Sequence, residues 1–138
     1  MQEIKMPQLN LTVISGYLVK DPTLRHTSGG VPVSNFSIAH TKRFKDNTGI
    51  WKEETCYIGV VAWHKLAESC YEFLRKGKAV LITGNLQSRS VEFNDGTMRN
   101  IIEIKASKIQ FLNKLNDMEK DIETLFEEGD ELPFKNDI

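Results

Sequence analysis

Two aromatic residues near the end of an extended apolar run have a spacing suited to one face of a β-strand. Tyr57 and Trp63 are six residues apart, so the alternation of side chains along a strand places both rings on the same face. At about 3.3 Å per residue the rings would lie roughly 20 Å apart, a span of several nucleotides. Rings spaced in this way could stack on the bases of a single strand, at about 1–3 kcal/mol per base and without reading the order of the bases. The opposite face of the strand carries smaller residues, which we expect to form core: Cys56, Ile58, Val60 and Ala62.

The rings have a second interpretation, because Trp and Tyr of small β domains also lie in the core or in oligomer interfaces. For Tyr57 and Trp63 we favour stacking. Trp51 belongs to the same run, and we assign it to the core or to an interface.

Phe44 lies in a polar, turn-prone segment, residues 41–49 (TKRFKDNTG), which we predict to be a loop between two strands. Lys42, Arg43 and Lys45 surround it, and burial of the ring would draw three cations toward the core at high cost. An exposed ring among cations suits a phosphate chain whose bases lie on the ring. All four residues are therefore candidate contacts.

Other positive side chains are dispersed along the chain, and any one of them could be an ordinary solvated charge. As a group they favour a polyanionic partner, and two of them flank a predicted hairpin, residues 90–98, that could fold over a bound strand. The candidates are Arg25, Lys65, Lys76, Arg89 and Arg99.

The charge of the chain is divided unevenly between its two parts. Residues 1–110 contain 15 Lys and Arg against 10 Asp and Glu, whereas residues 111–138 contain 3 against 9. A basic body suits a polyanion, and an acidic tail can compete for the same surface or recruit basic partners. We therefore predict a nucleic-acid-binding domain over residues 1–112 and a separate tail over residues 113–138.

Signals for catalysis are weak, and we predict that the protein is not an enzyme. The three His residues lack metal-ligand spacing, no Walker loop or nucleophile elbow is present, and Glu53 and Glu54 would face opposite sides of a strand. Cys56 and Cys70 form no C-x-x-C pair, and we expect both to be small buried side chains in a reducing compartment. No apolar run suits a membrane span or a signal peptide, so we expect a cytoplasmic protein without membrane contact.

Short apolar runs separated by turn chemistry predict three strands over residues 9–19, 31–40 and 50–62, with a short extended piece at 24–27. Strand material follows over 79–86 and 87–93, and the last strand covers 98–106. A helical period between residues 63 and 77 predicts one helix, which Gly77 would end. Its apolar face would consist of Leu66, Ala67, Cys70, Phe73 and Leu74. Three strands, a helix and two more strands predict an all-β fold, a five-stranded Greek-key barrel of the oligonucleotide/oligosaccharide-binding (OB) kind with one helix, followed by the acidic tail.

Several runs of the sequence resemble the bacterial single-stranded DNA-binding protein family, over residues 9–112. They are 16–25 (GYLVKDPTLR), 60–68 (VVAWHKLAE) and 71–77 (YEFLRKG), with Gly29-Gly30 and Thr48-Gly49 between the first two. The resemblance implies a barrel that assembles as a homotetramer, wraps single-stranded DNA without sequence preference and needs no metal or cofactor. It also implies association with the nucleoid.

The resemblance implies roles for individual residues. Phe44, Tyr57 and Trp63 fall where the family places base-stacking aromatics, and the positions that match phosphate-reaching cations of the family are Lys65, Lys76, Arg89 and Arg99. A fourth aromatic of the family is replaced here by Val91, and Phe93 can substitute for it if it keeps the same face.

One further departure lies near a subunit contact of the family. Its frequent Trp-His-Arg is here Tyr57-Ile58-Gly59, which removes polar groups from that contact.

The tail carries two further features. Leu115, Met118, Ile122 and Leu125 repeat at spacings of three, four and three and predict a short amphipathic helix, which could fray or dock on the barrel or another subunit. Beyond it lies a segment that resembles the acidic tip through which the family binds replication, recombination and repair proteins: Asp130, Glu131, Leu132, Pro133 and Phe134. The family usually ends at that Phe, and here residues 135–138 follow. Either the partner's pocket tolerates them, or Ile138 is the anchor, or partner binding is weaker.

The leading hypothesis is a protein that coats and protects single-stranded DNA in replication, recombination and repair and recruits partners through its tail. The alternative is an OB-fold accessory or scaffold protein of a replication or recombination complex, for which DNA contact is secondary.

Overall fold

The computed structural model describes residues 3–112, so the predicted tail helix and acidic tip lie outside the described residues. Seven elements follow one another along the chain: β1 (Thr12–Leu18), β2 (Thr23–His26), β3 (Pro32–Lys45), β4 (Trp51–Trp63), α1 (His64–Phe73), β5 (Ala79–Glu92) and β6 (Met98–Leu112).

Five of the strands close into a barrel. Their order is β1-β5-β6-β4-β3, and pairing of β1 with β3 completes the ring, while the short β2 extends the sheet beyond β3. All pairs are antiparallel except β4 with β6. The predicted five-stranded barrel with one helix is confirmed.

The barrel core comes from alternate residues of the strands, as the period of two requires. In β3 and β4 the buried side chains include Phe36, Ile38, Val60 and Ala62. The helix α1 closes one end of the core with Ala67 and Cys70, and Leu74 follows at its C-terminal cap. Gly77 lies in the turn after the helix rather than at its end, at a φ of 88° that favours glycine.

The predicted apolar face of α1 is wrong at one residue. Phe73 is exposed rather than part of the buried face of α1, and its ring contacts that of Phe111, with centroids 6.1 Å apart.

The loop predicted over residues 41–49 is wrong for residues 41–45 and present for residues 46–49. The strand β3 continues to Lys45 and pairs with β4 without a break, from Val33 opposite Trp63 to Lys45 opposite Trp51. This part of the hairpin extends beyond the core, so both of its faces meet water and polar residues are accommodated there. Opposite charges also face each other, as with Arg43 and Glu53. We call residues 41–55 the β3–β4 arm.

The long β3–β4 pairing also explains why one cysteine prediction is wrong. Cys70 is buried under the helix, but Cys56 is exposed. The parity argument places Cys56 on the same face as Ile58 and Val60, but the core ends before the strand does.

The second hairpin likewise consists of two long strands. The predicted strand material over residues 79–93 forms one strand, β5, with a register shift between Thr83 and Gly84, and β6 continues to Leu112, beyond the predicted end at residue 106. The predicted turn at residues 94–96 is present. We call residues 88–102 the β5–β6 arm.

Candidate nucleic-acid interface

Three aromatic rings lie on one face of β4. Trp51, Tyr57 and Trp63 are each six residues apart, and all three alternate with the core residues Val60 and Ala62. We call this side of the sheet the outer face. Trp51 and Tyr57 are 59% and 70% exposed, so neither is a core residue. Of the two places predicted for Trp51, the core is wrong, and the interface stays a prediction.

Trp63 differs from the other two rings because it is half-buried at the start of α1. Its indole Nε1 is buried and has no hydrogen-bond partner within residues 3–112. The pairing register aligns Trp63 with Val33 on β3 and Val33 with Arg25 on β2. Directly paired residues share a face, so the exposed Arg25 lies in the same row as this ring.

Phe44 lies on the opposite face of the β3–β4 arm from Tyr57. It is directly opposite Lys52, and its parity is that of the core residues Phe36 and Ile38. The ring is half-buried, and Lys42 Nζ lies 5.6 Å from its centroid. The predicted fully exposed ring in a loop is therefore a half-buried ring in a strand, and a nucleic acid reaching both Phe44 and Tyr57 would have to cross the edge of the arm.

The other two cations of the predicted cluster lie beside Trp51. Lys45 Nζ is 5.1 Å and the Arg43 guanidinium 5.7 Å from the Trp51 ring centroid. At the tip, Asp46 accepts hydrogen bonds from the Thr48 hydroxyl and from the Thr48 and Ile50 N–H groups. These hydrogen bonds lower the pKa of Asp46 below its ordinary value, and the bond from the Thr48 side chain contributes most. The Asp46 carboxylate therefore stays ionised at neutral pH.

The β5–β6 arm carries a second aromatic and cationic group. The Arg99 guanidinium lies 4.4 Å from the Phe93 ring centroid, and Arg99 also forms an ion pair of 3.4 Å with Asp95. Arg99 is directly opposite Val91, so Phe93 lies on the side of the arm that Val91 occupies. This is the condition under which Phe93 could replace the missing aromatic.

A groove of about 380 Å³ opens on the outer face between β4 and the β5–β6 hairpin. Its lining includes Gly59, between Tyr57 and Val61 on β4, and Arg89 and Glu103 from the β5–β6 hairpin. Glu103 is only 4% exposed, and one of its carboxylate oxygens accepts hydrogen bonds from Arg89 Nε at 2.7 Å and Gln87 Nε2 at 3.1 Å.

Sequence reasoning missed Glu103. A single acid among alternating residues looks like a surface charge, and only the parallel pairing of β4 with β6, which aligns Gly59 with Glu103, reveals its burial.

Two predicted cations lie near the helical end of the barrel. Lys65 is in the first turn of α1, and the Lys76 backbone N–H donates to the Asp21 carboxylate at 2.8 Å. Within residues 3–112 no ion pair or ring contact connects either Lys to the other candidate residues.

The described part of the chain has neither a metal-ligand cluster nor a membrane-spanning helix. Residues 3–112 contain no group of three or more potential metal ligands. None of the helices among them could cross a membrane, given their length and polarity.

The fold and the aromatic face correspond to a known family. The sequence model of the single-strand binding protein family matches residues 9–112. The chain belongs to this family. Its members are DNA-binding proteins without enzymatic activity, so family membership confirms both the resemblance and the prediction that the protein is not an enzyme.

Individual relatives agree with this assignment. Single-stranded DNA-binding protein 2 of Chlorobaculum tepidum is 55% identical over 126 residues, which cover 91% of this chain and 85% of that protein. Single-stranded DNA-binding protein 3 of Clostridium acetobutylicum is 38% identical over 140 residues, 94% of this chain and 93% of that protein. A solved structure of a Plasmodium falciparum SSB complex with ssDNA superposes with a TM-score of 0.70 at 27% identity, covering 80% of this chain and all of that one.

Proposed function

We propose that this protein binds single-stranded DNA without sequence preference, by stacking of bases on aromatic rings and by contacts of cations with phosphates. The observation that carries the proposal is the outer face of β4, where the exposed ring of Tyr57 and the half-buried ring of Trp63 lie six residues apart, with Arg25 in the row of Trp63. Bases of any kind have a π-face, and a ring that meets it needs no sequence-specific hydrogen bond.

The proposed contacts combine the candidates that the outer face brings together with those that lie apart from it. On the outer face, Tyr57, Trp63 and Phe93 would stack on bases. The cations that would lie near the phosphates are Arg25, Arg43, Lys45, Arg89 and Arg99. Phe44 and Lys42 would engage a strand that crosses the edge of the β3–β4 arm, and Lys65 and Lys76 would extend the path past α1.

The wider role follows from the same binding chemistry. We propose that the protein coats and protects single-stranded DNA in replication, recombination and repair, as a cytoplasmic, nucleoid-associated homotetramer built from domain 1–112. The exposed apolar residues Val13 and Tyr17 on β1 support a contact between subunits. The tail, residues 113–138, would recruit proteins of these processes through Asp130 to Phe134.

The test is a titration with a long thymidine oligomer. Replacing Tyr57 by Ala removes one stacking ring and should weaken binding by about 5- to 150-fold, the equivalent of about 1–3 kcal/mol. The matched control is Tyr71→Ala, because Tyr71 is also exposed but lies on α1, and its loss should leave affinity unchanged.

A salt series tests the phosphate contacts in the same protein. The logarithm of the binding constant should fall with the logarithm of salt concentration, with a slope near −0.7 for each phosphate contact on a single strand. An accessory or scaffold protein with only secondary DNA contact would bind weakly, and Tyr57→Ala and Tyr71→Ala would then behave alike.

A further inference from the structure

We propose that Trp51, together with Arg43 and Lys45, forms an additional single-stranded DNA subsite at the far end of the β3–β4 arm. The inference rests on the proposed function and extends it, because neither the sequence prediction nor the family assignment gives Trp51 a role in binding.

The first argument is position. Trp51 shares the outer face of β4 with Tyr57 and Trp63, at the same interval of six residues. At about 3.3 Å per residue each interval spans roughly 20 Å, so the three rings define a line of roughly 40 Å along an extended strand. A single strand that follows this line past Tyr57 therefore arrives at Trp51.

The second argument is exposure. Trp51 lies where the arm has left the core, and no part of residues 3–112 buries it, since its side chain is 59% exposed. Trp is on average a highly buried residue, because burying an aromatic side chain removes about 150–250 Å² of surface from water. The exposed ring is therefore available to a base that would cover it.

The third argument is charge. Lys45 is directly opposite Trp51 and Arg43 lies diagonally from it, and both cations are within 6 Å of the ring centroid, at 5.1 and 5.7 Å. This cation–π contact holds the ring in place, and the same cations can reach the phosphates on either side of a base stacked on it. The ion pair of Arg43 with Glu53 at 3.5 Å is largely exposed, so it is weak and leaves Arg43 available.

The other candidate occupant is a second protein surface, and the surroundings of Trp51 disfavour it. Centres of protein interfaces are enriched in aromatic residues and Arg but depleted of Lys and Glu. Here Lys45 lies against the ring and Glu53 is next to it on the same face. A ring surrounded by such charges fits a base and its phosphates better than an apolar partner.

The chain offers a direct experiment because it contains two Trp residues. In the variant Trp63→Phe, Trp51 is the only source of Trp fluorescence, and a long thymidine oligomer should quench its emission at saturation. The matched variant Trp51→Phe leaves Trp63 alone and reports on the barrel end of the track. Binding of both variants is followed independently by the anisotropy of a labelled oligomer.

Three results separate the possibilities. If the Trp63→Phe variant binds the oligomer but Trp51 emission does not change, the subsite is wrong while the proposed function stands. If neither variant binds, the proposed function itself fails. If Trp51→Ala lowers the mass of the particle in solution, measured by light scattering, Trp51 belongs to a subunit contact and the inference is overturned.

Affinity gives a second measurement on the same residue. Trp51→Ala should weaken binding of a long oligomer by about 5- to 150-fold, and Trp51→Phe, which keeps a stacking ring, should restore most of the loss. Ile50→Ala is the matched control, because Ile50 is an exposed apolar neighbour at the same tip. Equal effects of Trp51→Ala and Ile50→Ala would contradict stacking.

Discussion

Arg89 lines the outer groove and also forms an ion pair with a buried carboxylate. Its guanidinium is about half-exposed beside the outer groove, while its Nε donates to a Glu103 carboxylate that is almost completely buried. The contact orients the Arg89 side chain and leaves its terminal nitrogens available for a phosphate. Loss of Arg89 would therefore act on the fold as well as on binding, because a buried charge without its partner is costly.

We predict that Arg89→Ala lowers the free energy of unfolding by about 1–3 kcal/mol, the usual cost of leaving a buried polar or charged group unsatisfied. The double variant Arg89→Ala/Glu103→Gln should recover part of this stability, because it also removes the buried charge of Glu103. It should not recover DNA affinity. Urea denaturation and oligomer titration measure the two effects separately. If the double variant is no more stable than Arg89→Ala, burial of Glu103 is not the cause.

The two cysteines differ in their chemistry because they lie on different sides of the core boundary. Burial raises the pKa of the Cys70 thiol from 9.0 to about 12, while Cys56 is exposed on β4. Only the thiolate reacts with alkylating reagents. Cys70 should therefore be protected as long as the barrel is folded.

We predict that iodoacetamide modifies one thiol in the native protein at pH 8 and two in denaturant, as counted by mass spectrometry. Cys56→Ser should abolish the native reaction. Because the pKa of Cys70 is raised in the folded state, the unfolded state loses this proton first as pH rises above 9. The free energy of unfolding should therefore fall between pH 9 and 12. Reaction of Cys70 in the native protein at pH 8 would contradict its burial.

At the scale of single residues, parity predicted which side chains share a face but not where the core ends. It placed Tyr57 with Trp63 and Cys56 with Ile58 correctly. It could not show that Cys56 and Trp51 lie on a part of β4 that has no core beneath it, because burial there depends on how far the hairpin extends beyond the barrel.

At the scale of elements, the two long arms follow from strands whose polar segments resemble loops. Residues 41–45 look like part of a turn because they are charged, but cross-strand partners make them a strand, as in the pair of Arg43 and Glu53. Such long-range pairing is invisible to a local pattern. Turn residues predicted the hairpins more reliably than polarity predicted the loops, as the turn at residues 94–96 shows.

The bulge in β6, where Ser107 is the extra residue opposite Thr83 and Gly84 of β5, is a second element that depends on a long-range contact. Gly84 lies against the backbone of β6, where an added Cβ would meet the Lys105 carbonyl oxygen and lie 2.9 Å from its carbon. A backbone atom in a paired strand cannot move aside as a flexible side chain can. The close approach therefore requires glycine at this position.

We predict that Gly84→Ala lowers stability by about 1–3 kcal/mol, as other overpacked substitutions do. Gly59→Ala is the matched control within the same barrel, because its added Cβ would be 3.8 Å from Glu103 Cβ, an ordinary contact. Denaturant midpoints of the two variants give the comparison. Equal midpoints would mean that the β6 backbone can move away from a side chain at position 84.

At the scale of the whole molecule, we expect the basic body and the acidic tail to compete for the same interaction. The outer face carries several cations of the body, among them Arg43 and Lys45 beside Trp51, whereas residues 127–138 contain five acidic residues and one basic residue. This segment lies outside the described residues, and its expected effect follows from its charge. A tethered polyanion and single-stranded DNA compete for one set of cations.

We predict that deletion of residues 127–138 raises affinity for a thymidine oligomer at low salt, because the competing charge is removed. The gain should shrink as salt increases, since charges are screened within about 10 Å at 0.1 M ionic strength. A full-length variant with the five acids changed to their amides is the matched control, and it should behave like the deletion if charge is the cause. Affinity that is the same in all three proteins at low salt would exclude competition by the tail and leave partner recruitment as its proposed role.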